Sequence, residues 1–453
     1  MSALNRREFL KGSTALLSLS SFGLLGMDFK DRKGPIQVAL IGTGWYGKSD
    51  LFRLIQVADV EVVGLCDVDS QQLAEAGKLV ATRQKSGKVP ALYEDYQQLL
   101  AKEKPEYVLI GTPDHWHALI AIDALKGGAH VYLQKPISLD VIEGEAIVAA
   151  SKKYDRKVQI GTQRRSTPHL IQAKKEIIDT GKLGKISHAE VFCYYHMRNS
   201  SNPPVISVPS NLNYELWAGP APMLPYTGIL HRGWRSFMEY SNGIVGDMCV
   251  HMLDAVRWMC DLGWPVQVTS TGGIYVDKDS IANISDTQTA LFEFDEMNVV
   301  WQHRTWGNPV DPDYPWAFKI YGEHGMLAGS PMRADFFPEG KGDPIHYDVL
   351  LEKEKYPEDV TEKDIEIHTA PATRAQMKDW LNAVENDSIP VADVLQGHIS
   401  TASCILANMS MELEGRPLRY DPKSRSIPGD KEATAKLSRT YREPYLHPEP
   451  NQV

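Results

Sequence analysis

Six residues, Gly42-Thr43-Gly44-Trp45-Tyr46-Gly47, directly follow an apolar β-rich run from Ile36 to Ile41 and open an amphipathic segment. Few folds accept that order. A strand that stops at a glycine turn and continues straight into a helix is the first unit of a nucleotide-binding βαβ layer. The first glycine permits the tight turn and the second lets a pyrophosphate approach the backbone. The third allows close helix packing, and the helix N-terminus faces the phosphates. Asp67 ends the next apolar run about 20 residues beyond the turn, where a carboxylate accepts from the adenosine ribose hydroxyls. A carboxylate there repels a 2′-phosphate, so NAD is favoured over NADP. The same stretch, Asp67-Val68-Asp69-Ser70, also reads as a helix start.

Short apolar runs then alternate with longer amphipathic segments: Ile36 to Ile41, Val60 to Cys66, Tyr107 to Ile110, His130 to Leu133 and Lys157 to Ile160. Runs this uniformly apolar are buried on both faces, which predicts a doubly wound parallel Rossmann sheet over 35–160. After Gly161 the alternation stops. Lys185 to Tyr195, Val266 to Val276, Thr287 to Phe294, Asn298 to Thr305 and Trp316 to Tyr321 read as longer strands joined by hairpins. A second, α+β domain with a mostly antiparallel open sheet is expected over 161–420, binding substrate and mediating oligomerisation. Thr373 to Glu414 reads as a helix pair, and 421–453 as a weakly patterned tail, loose or wrapped on a neighbour. The aromatic, Pro-rich stretch from His196 to Asn242 has no period, and such a segment is expected to wall or cover an active site.

A net charge of −10 argues against phosphate-backbone binding, so nucleic acid is not an expected partner. Cys66, Cys193, Cys249, Cys260 and Cys404 lie far apart without a C-x-x-C, which favours buried free thiols. Asn5-Arg6-Arg7-Glu8-Phe9-Leu10-Lys11 precedes a short apolar run, the pattern of a twin-arginine export signal over 1–34. Periplasmic location without a transmembrane segment in the mature protein is the corresponding expectation, and cytoplasmic location is the alternative.

Two further segments lie at carboxyl ends of predicted parallel strands, where open α/β sheets bind ligands: Thr112-Pro113-Asp114-His115-Trp116-His117 and Gln134-Lys135-Pro136. His115 and His117 form an H-x-H pair, but no third ligand accompanies them and no metal is expected. Asp247, His251 and Asp254 recur at helical spacing opposite Met248, Met252 and Met259. A carboxylate and an imidazole so spaced can hold one hydroxyl between them, although such a stripe is commonly a solvated face.

With these segments, Gly161-Thr162-Gln163-Arg164-Arg165 and the Asp247/His251 pair, the chain resembles the Gfo/Idh/MocA family (glucose-fructose oxidoreductase, inositol dehydrogenase and MocA) from about Ile36 to Tyr420. The resemblance implies catalytic roles for Lys135, Asp247 and His251. It implies cofactor contacts from Gly42, Thr43, Gly44, Trp45, Tyr46, Gly47 and Asp67, and from Thr112, Pro113, His117, Gln134, Lys135, Gln163 and Arg164. Gln134 departs from the family's usual Glu, keeping hydrogen bonding but losing the charge. Tyr194, His196, Trp234, Arg235, Asp247 and His251 are the expected substrate contacts, with Tyr195 nearby. Of Trp45, Trp116, Trp217, Trp234 and Trp258, two are expected at the substrate.

The implied activity is hydride transfer between NAD(P) and a ring hydroxyl or ketone of a sugar, glycoside or cyclic polyol. Export would require a tightly held cofactor, which also suits a redox-neutral glycosidase or lyase acting through transient oxidation. A non-catalytic sugar or nucleotide sensor is the reading from another class. A homo-oligomer is a family-level expectation.

Overall fold

The computed structural model describes residues 34–195, 198, 201–228, 233–362 and 366–453. The twin-arginine segment lies outside these, as does His196.

The first sheet contains β1 (Ile36–Ile41), β2 (Val60–Cys66), β3 (Ala91–Tyr93), β4 (Tyr107–Ile110), β5 (His130–Leu133) and β6 (Val158–Ile160). Its order is β3-β2-β1-β4-β5-β6, with every neighbour pair parallel. Order reverses between β1 and β4, so a crevice opens at their carboxyl ends, the place where such sheets bind nucleotides. Four strands match the expected runs to the residue, because burial on both faces makes them read as continuous apolar segments. β3 was not expected; it is three residues long, at the edge and largely exposed.

The glycine turn is sterically enforced. Gly42 has φ +90°, and a Cβ there would lie 2.6 Å from the Gly111 carbonyl carbon. A Cβ on Gly47 would lie 2.1 Å from the Gly42 oxygen, so the helix Trp45–Val57 could not seat against β1 with any other residue there.

The second sheet contains β7 (Ile186–Cys193), β8 (Gln267–Gly273), β9 (Thr287–Glu293), β10 (Asn298–Arg304), β11 (Trp316–Gly322), β12 (Gly325–Gly329), β13 (Arg333–Pro338) and β14 (Ile345–Asp348). Its order is β14-β13-β12-β11-β7-β10-β9-β8, antiparallel except where β7 meets β10. One face packs on the helices Val250–Met259 and Val394–Glu412 in a core that includes Trp301, Phe318 and Phe292. The helix Val394–Glu412 also packs against the helix Val141–Tyr154 of the first sheet, tying the two layers together. Among the described residues, no helix is long and apolar enough to cross a membrane.

The stretch without period between His196 and Asn242 builds a small core of its own. Tyr214, Trp217, Tyr226, Trp234, Phe237 and Tyr240 pack together around a short helix, Tyr214–Ala218, capped by Asn213. The tail is not loose: it folds back on its own chain. Leu437 accepts from the amides of Val141 and Ile142, and the Arg442 amide donates to the Pro220 carbonyl. All five cysteines are free, four of them buried.

Candidate active site

A cleft of about 1250 Å³ runs along the carboxyl ends of the first sheet. Gly42, Gly44, Trp45, Tyr46, Asp67, Thr112 and Pro113 line it, as do Trp116, Trp217, Trp234 and Arg235. A Cβ built on Gly44 would meet nothing within 4 Å, so the bare backbone of the turn faces open space, as a pyrophosphate cradle requires. Asp67 is not the helix cap; Asp69 takes that role, accepting from the amides of Gln71 and Gln72. The Asp67 carboxylate is instead held in the cleft wall by Thr43, whose amide and hydroxyl donate at 2.8 and 2.9 Å, and by Gln72. Glycine cradle, carboxylate and cleft volume together fit a dinucleotide with an unphosphorylated 2′-hydroxyl.

Thr43 and Gly47 support the turn from beneath, and His117 stands behind the wall. The His117 ring lies between the carbonyls of Pro136 (2.7 Å) and Thr112 (3.0 Å) and, when neutral, donates to one of them. Burial pushes its pKa down to about 4, so the ring is neutral. His115 is likewise buried, its Nε2 2.8 Å from the Trp217 carbonyl. Gln134 does not line the cleft. Its Nε2 donates to the buried Asp50 at 2.6 Å, a bond that a glutamate in this position could make only when protonated. Gln163 donates to the Tyr46 hydroxyl at 2.7 Å, fixing a ring of the cleft wall.

Beyond Trp234 and Arg235 lies the cluster of ionisable groups. Lys135 leaves the end of β5 and places Nζ 2.5 Å from Asp247 Oδ1 and 2.9 Å from the Asp247 carbonyl. Arg235 Nε is 3.2 Å from the same carboxylate oxygen, and its guanidinium lies over the Trp234 ring. Burial raises the pKa of Asp247, but the two cations outweigh it and hold the carboxyl below its ordinary value. Asp247 sits in a π-helical turn, Val245–Cys249, that leads into the helix Val250–Met259. Turns of this kind are frequent at functional sites. His251 follows in the first turn of that helix, edge-on to Trp316 at 5.5 Å. Burial first, then the charges of Lys135, Arg164 and Arg235, push its pKa well below the ordinary value, and its enclosed Nδ1 has no hydrogen-bond partner.

Asp254, which shares the helical spacing, and Tyr194, an expected substrate contact, do not join this cluster. Asp254 forms a bidentate pair with Arg165, at 2.7 and 2.8 Å, and accepts from Ser400. It braces the helix from behind rather than facing Lys135. Tyr194 follows β7 on the wrong side: successive strand side chains alternate, and it stacks on Phe192 while bonding Gln302 on the sheet's other face. Tyr195 is the residue turned toward Trp316. Of the five tryptophans, Trp258 packs on the core instead of the cleft.

Sequence reasoning missed Asp114, Trp316 and the tail. Asp114 is buried beside Arg235, Asp247 and Lys135, and burial raises its pKa to about 8, leaving it protonated near neutrality. Its place in the strand-end motif was the available signal. Pro444, Tyr445 and Leu446 line the cleft, with Tyr445 edge-on to Trp116 at 5.3 Å. No local pattern announces that return.

Two family models match the chain: an oxidoreductase family, NAD-binding Rossmann fold over residues 36–162, and that family's C-terminal alpha/beta domain over 172–287. The inositol 2-dehydrogenase/D-chiro-inositol 3-dehydrogenase of Lactiplantibacillus plantarum is 32% identical over 33% of this chain and 41% of its own length. Glycosyl hydrolase family 109 protein 2 of Akkermansia muciniphila is 34% identical over 27% of this chain and 26% of its own length. These matches therefore span less than half of either relative. An inositol dehydrogenase homologue from Azotobacter vinelandii, solved with NADH and myo-inositol, superposes with TM-score 0.63 at 16% identity, covering 85% of this chain and 98% of its own. Both layers of the fold and both family models agree, and the chain belongs to the Gfo/Idh/MocA oxidoreductase family.

Proposed function

We propose that the protein is an NAD-dependent oxidoreductase that moves a hydride to or from a ring carbon of a sugar, glycoside or cyclic polyol. The observation that carries this is the contact between Lys135 and Asp247, next to neutral His251 and just beyond the cofactor cleft. Bound NAD supplies the hydride acceptor. The carbinol hydrogen leaves with its electron pair, and the hydroxyl proton must pass to a positioned base. His251 is the group able to take it, because its imidazole is neutral and carries an unpartnered nitrogen, while the Lys135 ammonium, held by Asp247, is placed to donate to the same oxygen. Trp234, which lines the cleft beside Arg235, offers an apolar ring to the C–H side of a substrate ring. Mixing the protein with NAD and a panel of pyranosides and polyols, with Lys135→Ala as control, tests the reading. A rise in reduced-nicotinamide absorbance that the control lacks supports it, and no rise with any compound rejects a simple dehydrogenase.

A retained cofactor is part of the proposal, and the tail supports it. Tyr445 and Leu446 form one wall of the cleft and are anchored through Arg439, Tyr441 and His447 to the start of the helix Val141–Tyr154. Retention suits a redox-neutral cycle, and the likeness to glycosyl hydrolase family 109 proteins favours glycoside cleavage by transient oxidation as the second reading. Release of sugar from a glycoside without net NADH would select it. Export by the twin-arginine route and assembly into a homo-oligomer complete the proposal. Cell fractionation of an Arg6→Lys/Arg7→Lys variant and light scattering of the purified protein test them.

A further inference from the structure

Arg164 is a buried cation with two nitrogens that no acceptor among the described residues satisfies. Its side chain is 1% exposed, and Nε and Nη1 are enclosed without a hydrogen-bond partner. Its one close neighbour of note is the Trp316 ring, 5.3 Å from the guanidinium carbon. The acidic groups whose fields it feels are the Tyr46 hydroxyl first and then Glu366, which is exposed and forms no ion pair with it. Arg165, the next residue, shows the contrast: its fork is filled by Asp254. A buried guanidinium without acceptors loses its hydration uncompensated, and such a group is sustained where a ligand completes it.

The charges around it point the same way. Lys135, Arg235 and Arg164 all act on His251, against one ionised carboxylate, Asp247, because Asp114 is protonated near neutrality. Three cations gather where Asp247 is the buried anion, and the other carboxylate that acts on Arg164, Glu366, is exposed. An oxidised nicotinamide ring is itself cationic, and the pyrophosphate belongs to the glycine turn at the other end of the cleft. Neither supplies the missing negative charge.

We propose that Arg164 receives an anionic oxygen group of the substrate, a carboxylate on the sugar ring as in a hexuronic acid. A planar guanidinium matches a carboxylate in two parallel bonds, and the Trp316 ring lies 5.3 Å from its carbon. Trp316 also lies edge-on to His251, which puts Arg164 and the candidate base on one ring. The inference rests on the oxidoreductase reading for the identity of the site, whereas its binding arm does not need turnover.

The experiment has two arms on the full protein loaded with NAD. Turnover is compared between a hexuronate and the matching neutral hexose for the wild type, Arg164→Gln and Arg164→Lys. Calorimetric binding of the hexuronate is measured for the same three proteins. The wild type should favour the hexuronate by roughly 100-fold in kcat/KM. Arg164→Gln should cut that preference at least tenfold through KM, and Arg164→Lys should recover part of it. If no compound turns over but the hexuronate binds the wild type and not Arg164→Gln, the anion site stands and the hydride reading fails. Equal use of both sugars by the wild type, or equal loss for both in Arg164→Gln, overturns the proposal.

Discussion

Gln134 donates from Nε2 to the buried carboxylate of Asp50 at 2.6 Å, joining the loop after β5 to the helix that follows the glycine turn. Burial lifts Asp50 to about 7 even with this donor in place. Gln134→Glu, the substitution toward the family's usual residue, would set two carboxyls against one another. Asp50 is raised above its unfolded value, so its contribution is fully present at acid pH and is lost as pH rises through about 7. The variant is therefore expected to lose about 2 kcal/mol above that pH and less below it. Thermal unfolding of both proteins on either side of that value checks this.

Asp247 and Asp254 share a helix, but their substitutions should separate cleanly. Asp247→Asn leaves Lys135 and Arg235 without their carboxylate, and turnover should fall by about 100-fold or more with the fold retained. Steady-state kinetics beside circular dichroism measures it.

Asp254→Asn instead removes the charge paired with Arg165 and leaves one acceptor oxygen where Arg165 and Ser400 use two. A stability loss of about 3 kcal/mol is expected, because the guanidinium stays buried and uncompensated. Denaturant titration reports it, and a variant as stable as wild type would contradict the assignment of Asp254 to a bracing role.

The tail is fastened by an acid-stabilised latch. Despite the opposing effect of burial, bonding to Asp140 raises His447 to about 9, with Glu143 and Glu449 adding charge. Burial raises Glu143 to about 7, although Tyr441 donates to it. Both groups lie above their unfolded values, so both contributions are complete at acid pH and decline as pH rises, Glu143 first and His447 last. Protease cleavage after Arg439 or Arg442 should accelerate between about pH 7 and 9. His447→Gln should show the faster cleavage already near neutrality, together with faster loss of bound NAD.

Tyr195→Phe and Tyr194→Phe form a final pair. Tyr195 faces Trp316 and Tyr194 faces the opposite side of the sheet. Substrate KM should rise several-fold in the first and stay within about twofold in the second.

Local sequence determined the parts of this protein whose physics is local. Strands β1, β2, β4 and β5 were legible to the residue because a strand buried on both faces is largely apolar, with Gln37, Glu61 and His130 the polar exceptions at less buried positions. The glycine turn was legible because the close approach of Gly47 to Gly42 excludes any side chain. Lys135, Asp247 and His251 were named from motif and resemblance. Tertiary structure alone decided which partners those residues meet. Asp254 has the same helical spacing as Asp247 and His251, but Arg165 claims it from a neighbouring segment. Tyr194 and Tyr195 are adjacent in sequence, and only the register of β7 against β11 settles which of them reaches the site. The path of the tail over Trp116 and the unpaired state of Arg164 depend on residues far away in the chain, and no local pattern encodes a contact whose partner is that distant.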